Sequence, residues 1–160
     1  MTQVDAQGTE QTVLTATAVT AVRRSTWSAN DTPMPEVPAP DAVARTEVRG
    51  WVRWIERYDM RPLVGPMPTE WDGSETPSLT RMWVRDDPPR PLDFASLAAF
   101  SDVFFPRVWR RRAVQTPIGT VSMTAYFHVG ADTLAAIGSG YLLGQAAGQG
   151  LRGVERLSQQ

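Results

Sequence analysis

At 160 residues, with 42% hydrophobic and 21% charged side chains, the chain has the composition of a soluble globular protein of one domain, or one domain plus part of another. A net charge of −1 provides no field of one sign to draw nucleic acid or an anionic membrane surface. The lack of cysteine excludes disulfides, thiolate metal sites and a cysteine nucleophile, and the single histidine excludes a multi-histidine centre, so no metal and no cofactor is expected.

All of the basic residues are arginine, which reads as codon usage rather than function. The N-terminus has no basic region followed by an apolar one; Asp5 and Glu10 stand where a signal peptide would be apolar. No apolar run reaches the roughly 18 residues that would cross a bilayer. A cytoplasmic location with no membrane span is expected.

Residues 1 to 11 are polar and read as frayed. Residues 12 to 22, TVLTATAVTAV, are rich in Thr and Val and predict a strand. From 25 to 45 the chain is punctuated by Pro33, Pro35, Pro38 and Pro40, which remove amide donors and fix φ, so this stretch reads as a partly extended linker. Residues 46 to 58 are ambiguous: Trp51, Trp54, Ile55 and Tyr58 fit helical spacing, whereas Val48 and Trp54 also fit a strand. A strand over about 52 to 64 is preferred, because no N-cap precedes it and Pro62, Pro66 and Pro68 follow. A short strand is predicted at 79 to 86, closed by Pro88, Pro89 and Pro91.

A helix follows, with Asp93 as its N-cap. Phe94, Leu97, Ala98, Ser101 and Phe105 are expected to share its apolar face, and Pro106 to stop it. Arg107, Arg110, Arg111 and Arg112 form a basic turn. These cations either complement the helix dipole or bind a phosphorylated ligand. Residues 117 to 129 alternate strictly. Gly119, Val121, Met123, Ala125, Phe127 and Val129 make an apolar face, opposed by Thr120, Ser122, Thr124, Tyr126 and His128, and a long strand is expected. Two further strands are predicted, over about 134 to 147 and from 150 to the end. Gly140, Gly144 and Gly148 recur at four-residue spacing, and a glycine-rich strand pair is preferred to close helix packing.

Asp102 is the first candidate for chemistry. It falls in the last turn of its helix, where the dipole disfavours an anion by about 0.3–1 kcal/mol, among apolar neighbours Ala98, Ala99 and Phe105. Such a carboxylate either faces solvent or is held for a purpose. Thr120 opens the polar face of the strand and His128 ends it; a lone histidine in a strand is most often structural. There is no G-x-S-x-G, which argues against a serine hydrolase.

The stretches PLDFASLAAFSDVFFP and TPIGTVSMTAYFHV, together with the Trp83-x-Arg85 pattern upstream, resemble the acyl-CoA thioesterases of the TesB-like double-hotdog family. The likeness is strongest over about 79 to 129. Phe100-Ser101-Asp102 matches the small-residue-then-Asp motif at the helix end, and Ile118 to His128 match the family's Thr-bearing strand. The resemblance implies an α+β hotdog fold, a long helix packed on an antiparallel sheet. Residues 1 to 24 would be a remnant of an N-terminal repeat, 25 to 45 the linker, and 46 to 160 a C-terminal hotdog domain that lacks its last strand.

The resemblance also implies a mechanism in which an Asp, a Thr and a Gln orient a water that attacks a thioester carbonyl. Asp102 and Thr120 would be the first two. The Gln belongs to the family's last strand, and Gln159 and Gln160 come too early to match it. The implied partner is acyl-CoA or a related thioester, with Phe104, Phe105 and Met123 along the acyl chain and Arg110 at a substrate-binding position. An incomplete sheet edge implies a homo-oligomer. A catalytically inactive module that binds acyl-CoA or a protein, and a purely structural domain, are the alternatives.

Overall fold

The computed structural model describes residues 1–22, 24–27, 29–31, 33–47 and 52–148. They divide into two compact units, Met1–Pro35 and Glu36 onward.

The first unit carries an antiparallel hairpin of β1 (Thr2–Val4) and β2 (Glu10–Thr12), with Gln3 opposite Gln11. Asp5 organises its turn: one carboxylate oxygen accepts the amides of Gln7 and Thr9 at 3.0 and 2.8 Å. The strand predicted over 12 to 22 does not form; apart from Thr12, which ends β2, that segment has no regular structure and is exposed. High β-propensity only describes fitness for a pleated, half-buried surface, and this segment has no such surface to join.

The second unit is built on a three-stranded antiparallel sheet in the order β3 (Tyr58–Val64), β4 (Thr80–Asp86), β5 (Leu142–Ala146). The strand expected at 79 to 86 is β4, the centre of the sheet. The one expected from 52 begins at Tyr58, after a single 3-10 turn at Ile55–Arg57. Val48 and Trp51, invoked for that region, fall outside the described residues, as does the strand expected from 150. The register shifts between Pro62 and Val64, and Val64 still pairs with Arg81 at the end of β3. Gly65 follows with φ +58°, and a Cβ there would stand 2.0 Å from the Leu79 carbonyl oxygen, so this crossing accepts only glycine.

On one face of the sheet, Met82 and Val84 pack with Leu92, Phe100, Val103 and Leu134 into the core. Phe100 lies on α1 (Phe94–Ser101) and Leu134 on α3 (Ala131–Ile137). Asp93 caps α1 as expected, its side chain accepting the Ser96 amide at 2.7 Å. The buried face of α1 is rotated from the predicted one. Ser96 and Phe100 are buried, whereas Phe94 and Ser101 are exposed. Ser96, at 0% exposure, donates its hydroxyl to Asp86 at the end of β4 (3.0 Å), which turns that side of the helix to the sheet.

Two further expectations are corrected. The basic turn is a short helix, α2 (Arg107–Arg111), for which Pro106 is the N-cap. The strand predicted over 134 to 147 is α3 followed by β5. Ala and Leu favour helix in 131–137, and Gly138 at φ +66° ends it.

The other face of the sheet is polar. Cross-strand neighbours Asp59 and Arg85, Arg61 and Trp83, and Arg81 and Gln145 lie on it. Residues 36 to 43, the later part of the proline-rich stretch, are strapped across this face. Trp83 Nε1 donates to the Pro38 carbonyl (2.9 Å), and Arg61 Nη1 donates to those of Pro40 (2.9 Å) and Val43 (3.3 Å). Proline leaves carbonyls but no amide to satisfy, so a proline-rich strap suits a surface of N–H donors.

Candidate functional site

The core-facing elements α1 and α2 meet at residues 102 to 106, where three of the six sequence-predicted site residues lie: Asp102, Phe104 and Phe105. Asp102 is the C-cap of α1, its amide donating to the Ala99 carbonyl at 3.1 Å. The Asp102 side chain is exposed and makes no hydrogen bond or ion pair among the described residues. The backbone thus presents a carboxylate at a helix C-terminus with no cation paired to it among the described residues. Val103 beside it is buried in the core and pins the helix end.

Phe104 packs against the core over Gly144, where a Cβ would come 2.9 Å from its ring edge. Phe105 lies under the Arg107 guanidinium, whose carbon is 4.1 Å from the ring centroid. Arg107 also donates to the Phe105 and Ser78 carbonyls and the Thr80 hydroxyl, so this one side chain joins α2 to the start of β4. Burial lowers its pKa to about 10, with the Arg110 charge adding to the effect. Arg110 donates through Nη1 to the Pro66 carbonyl at 3.2 Å.

Thr120 and Met123 lie in a different setting. The strand predicted over 117 to 129 does not form: residues 112 to 130 contain no helix or strand. The alternation is present, but a strand also needs an edge to pair with, and the sheet here is made by β3, β4 and β5 alone among the described residues. Both faces of the segment are therefore open; Val121 is 100% exposed and Met123, Tyr126 and His128 are exposed too. One anchor is Phe127, whose ring meets that of Phe94 on α1 edge-on at 5.4 Å. No hydrogen bond joins Thr120 to Asp102. Gln159 and Gln160 fall outside the described residues.

The most developed polar network lies on the strapped face and was not foreseen. Asp59, 3% exposed, is gripped by Arg61 through both oxygens (3.0 and 3.1 Å) and by Arg85 (3.1 Å), and it accepts the Tyr141 hydroxyl. Burial pushes the Asp59 carboxyl upward, but hydrogen bonds from Arg61 and Tyr141 and the Arg61 charge outweigh it and hold the group at about 2. The Tyr141 ring sits against both guanidiniums, at 5.1 and 4.2 Å. A buried carboxylate held by four donors is a structural hub rather than a group open to a substrate, and the network reads as structural. Period-2 placement of Asp59 with Arg61 was its only trace in the sequence. Among the described residues no group of three His, Cys, Asp or Glu side chains is placed to hold a metal ion, and no helix is long and apolar enough to cross a membrane.

Comparison with known proteins assigns the chain. A model of the acyl-CoA thioesterase C-terminal domain family matches residues 29–150. A solved structure from Alicyclobacillus acidocaldarius, described as a conserved protein of unknown function with a hot dog fold, superposes with a TM-score of 0.72 at 38% identity. The match covers 81% of this chain and 47% of that one, so the chain spans about half the length of the solved protein. No curated protein matches. The sheet with helices on one face is accordingly an α+β hotdog arrangement, and the chain belongs to the acyl-CoA thioesterase C-terminal domain family.

Proposed function

We propose that the protein hydrolyses acyl-CoA or a related thioester, with Asp102 and Thr120 orienting the attacking water. The observation that carries this reading is membership of the thioesterase family over residues 29–150, a span that contains both residues. The unengaged Asp102 carboxylate supports it, since a general base needs a free lone pair to accept the water's proton. The Thr120 hydroxyl makes no hydrogen bond among the described residues and is free to hold the same water.

Hydrolysis of a medium-chain acyl-CoA, followed by release of the free thiol, tests this. Asp102→Asn is expected to lower the rate on the order of 100-fold or more with the fold intact, and Thr120→Ala to lower it less. Equal rates for wild type and Asp102→Asn sink the assignment of Asp102.

A second reading is favoured by one observation: no hydrogen bond brings Asp102 and Thr120 together. In that case the protein is a hotdog module that binds acyl-CoA without turning it over. Binding of a non-hydrolysable thioether analogue by protein that releases no thiol from the acyl-CoA selects this reading. Self-association through the outer edges of β3 and β5 accompanies both, and light scattering at several concentrations measures it.

A further inference from the structure

The cationic helix α2 offers a site that this active-site reading does not use. Four guanidiniums, from Arg107, Arg110, Arg111 and Arg112, lie on or next to one five-residue helix in a chain of net charge −1. None of them forms an ion pair among the described residues, whereas Arg45, Arg61, Arg85 and Arg90 all do. Arg107 is spent on internal acceptors, all of them neutral oxygens. Arg111 and Arg112 are exposed.

Arg110 differs from the rest. Its Nε is buried and has no hydrogen-bond acceptor. Its backbone carbonyl is tied to the loop opposite, accepting the Thr76 amide (3.1 Å) and hydroxyl (2.6 Å), so the helix is fixed against that loop. Between loop and helix lies a cleft of about 180 Å³, lined by Arg110, Trp109, Thr69 and Ser74 among others. Glu70 and Asp72 also line it but are exposed, and Asp72 is turned to the Ser74 amide at 2.9 Å. A guanidinium that lines a cleft and forms no ion pair among the described residues is suited to an oxyanion.

We propose that Arg110, with Arg111 and Arg112 adding charge, binds a phosphate group at this cleft. The group would be that of the nucleotide end of the thioester substrate, in which case the proposal extends the thioesterase reading, or free phosphate. Planar guanidinium and phosphate match in geometry, and a second and third cation at the helix end suit the dianion better than a carboxylate.

Calorimetric titration of the full chain with coenzyme A, pantetheine and inorganic phosphate tests this. Coenzyme A is expected to bind with marked salt dependence and pantetheine much more weakly. Arg110→Gln is expected to weaken coenzyme A on the order of tenfold, and Arg110→Lys not to restore it, because lysine has no planar fork to match a phosphate in two places. The double variant Arg111→Gln/Arg112→Gln, at exposed positions, is expected to reduce the salt dependence without disturbing the fold.

Tight binding of inorganic phosphate that is lost with Arg110→Gln also supports the site and assigns it to free anion. Equal affinities for coenzyme A and pantetheine without binding of inorganic phosphate, or no change in any of the Arg110 and Arg111/Arg112 variants, overturn the proposal. Turnover of an acyl-pantetheine separates the two ideas. Hydrolysis of it as fast as of acyl-CoA leaves the thioesterase reading standing and removes the nucleotide-end assignment, so that inorganic phosphate binding alone then decides for or against the cleft. Phosphate-dependent binding with no hydrolysis of either does the reverse.

Discussion

Asp59 is the residue on which the polar face of the sheet depends. Its carboxylate is shared by two guanidiniums and a phenol, so removing it leaves Arg85 partly buried with no ion pair among the described residues, and Arg61 with only the exposed Asp41 at 3.9 Å. Asp59→Asn is expected to cost about 3 kcal/mol, read as a fall in the urea midpoint, because breaking one partner of a buried pair costs more than the pair contributes. The pH dependence follows from the same site. The folded pKa of about 2 lies below the ordinary carboxylate value. The ionised form therefore adds stability, roughly 2 kcal/mol, that is fully present above pH 5 and is lost as pH falls from about 4 towards 2. Urea titrations at pH 6 and pH 2.5 measure it, and the Asn variant is expected to lack this component. Asp102, with no partner among the described residues, predicts the opposite: Asp102→Asn changes the unfolding free energy by no more than about 0.5 kcal/mol.

Among elements, those that the sequence predicts well carry their signals locally. Asp93 announces α1 because a cap bonds an amide three residues away. The strand β4 alternates, stands between two neighbours and ends in prolines. The segment over 117 to 129 alternates just as strictly and forms nothing regular, since pairing is supplied by other strands and cannot be read from the segment itself. The turning of α1 was hidden for a related reason. Periodicity ranks Phe94 above Ser96, but Asp86 from β4 makes the serine the inward residue. In the site, Asp102 and Thr120 were legible through family motifs, whereas the Asp59 network depends on a register that brings positions 59, 61, 85 and 141 together. Two substitutions weigh these packing contacts. Leu134→Ala removes the buried anchor of α3, 2% exposed, and is expected to cost about 2–5 kcal/mol by thermal or chemical unfolding. Ser96→Ala removes one buried hydrogen bond and is expected to cost about 1 kcal/mol.

At the scale of the molecule, the two faces of the sheet are closed by different means. The helices close one with apolar side chains, and the strap of residues 36 to 43 closes the other with carbonyls. Because the strap is held by few bonds, its detachment should be a local event. Trp83→Phe keeps most of the ring but deletes the donor to Pro38, and is expected to speed cleavage in residues 36 to 47 under limited proteolysis while leaving the sheet intact. Protection of that stretch equal to wild type would assign the strap's attachment to Arg61 instead. The hydroxyl that completes the grip on Asp59 comes from Tyr141, 82 positions further along the chain. During synthesis the hairpin of β3 and β4 emerges with two arginines and one aspartate already facing each other, long before the tyrosine exists. The last partner of this cluster therefore arrives only when a large loop closes. Stopped-flow refolding of Tyr141→Phe should show this timing: unfolding quickens while the early folding phase is unchanged, as for a contact made after the rate-limiting step.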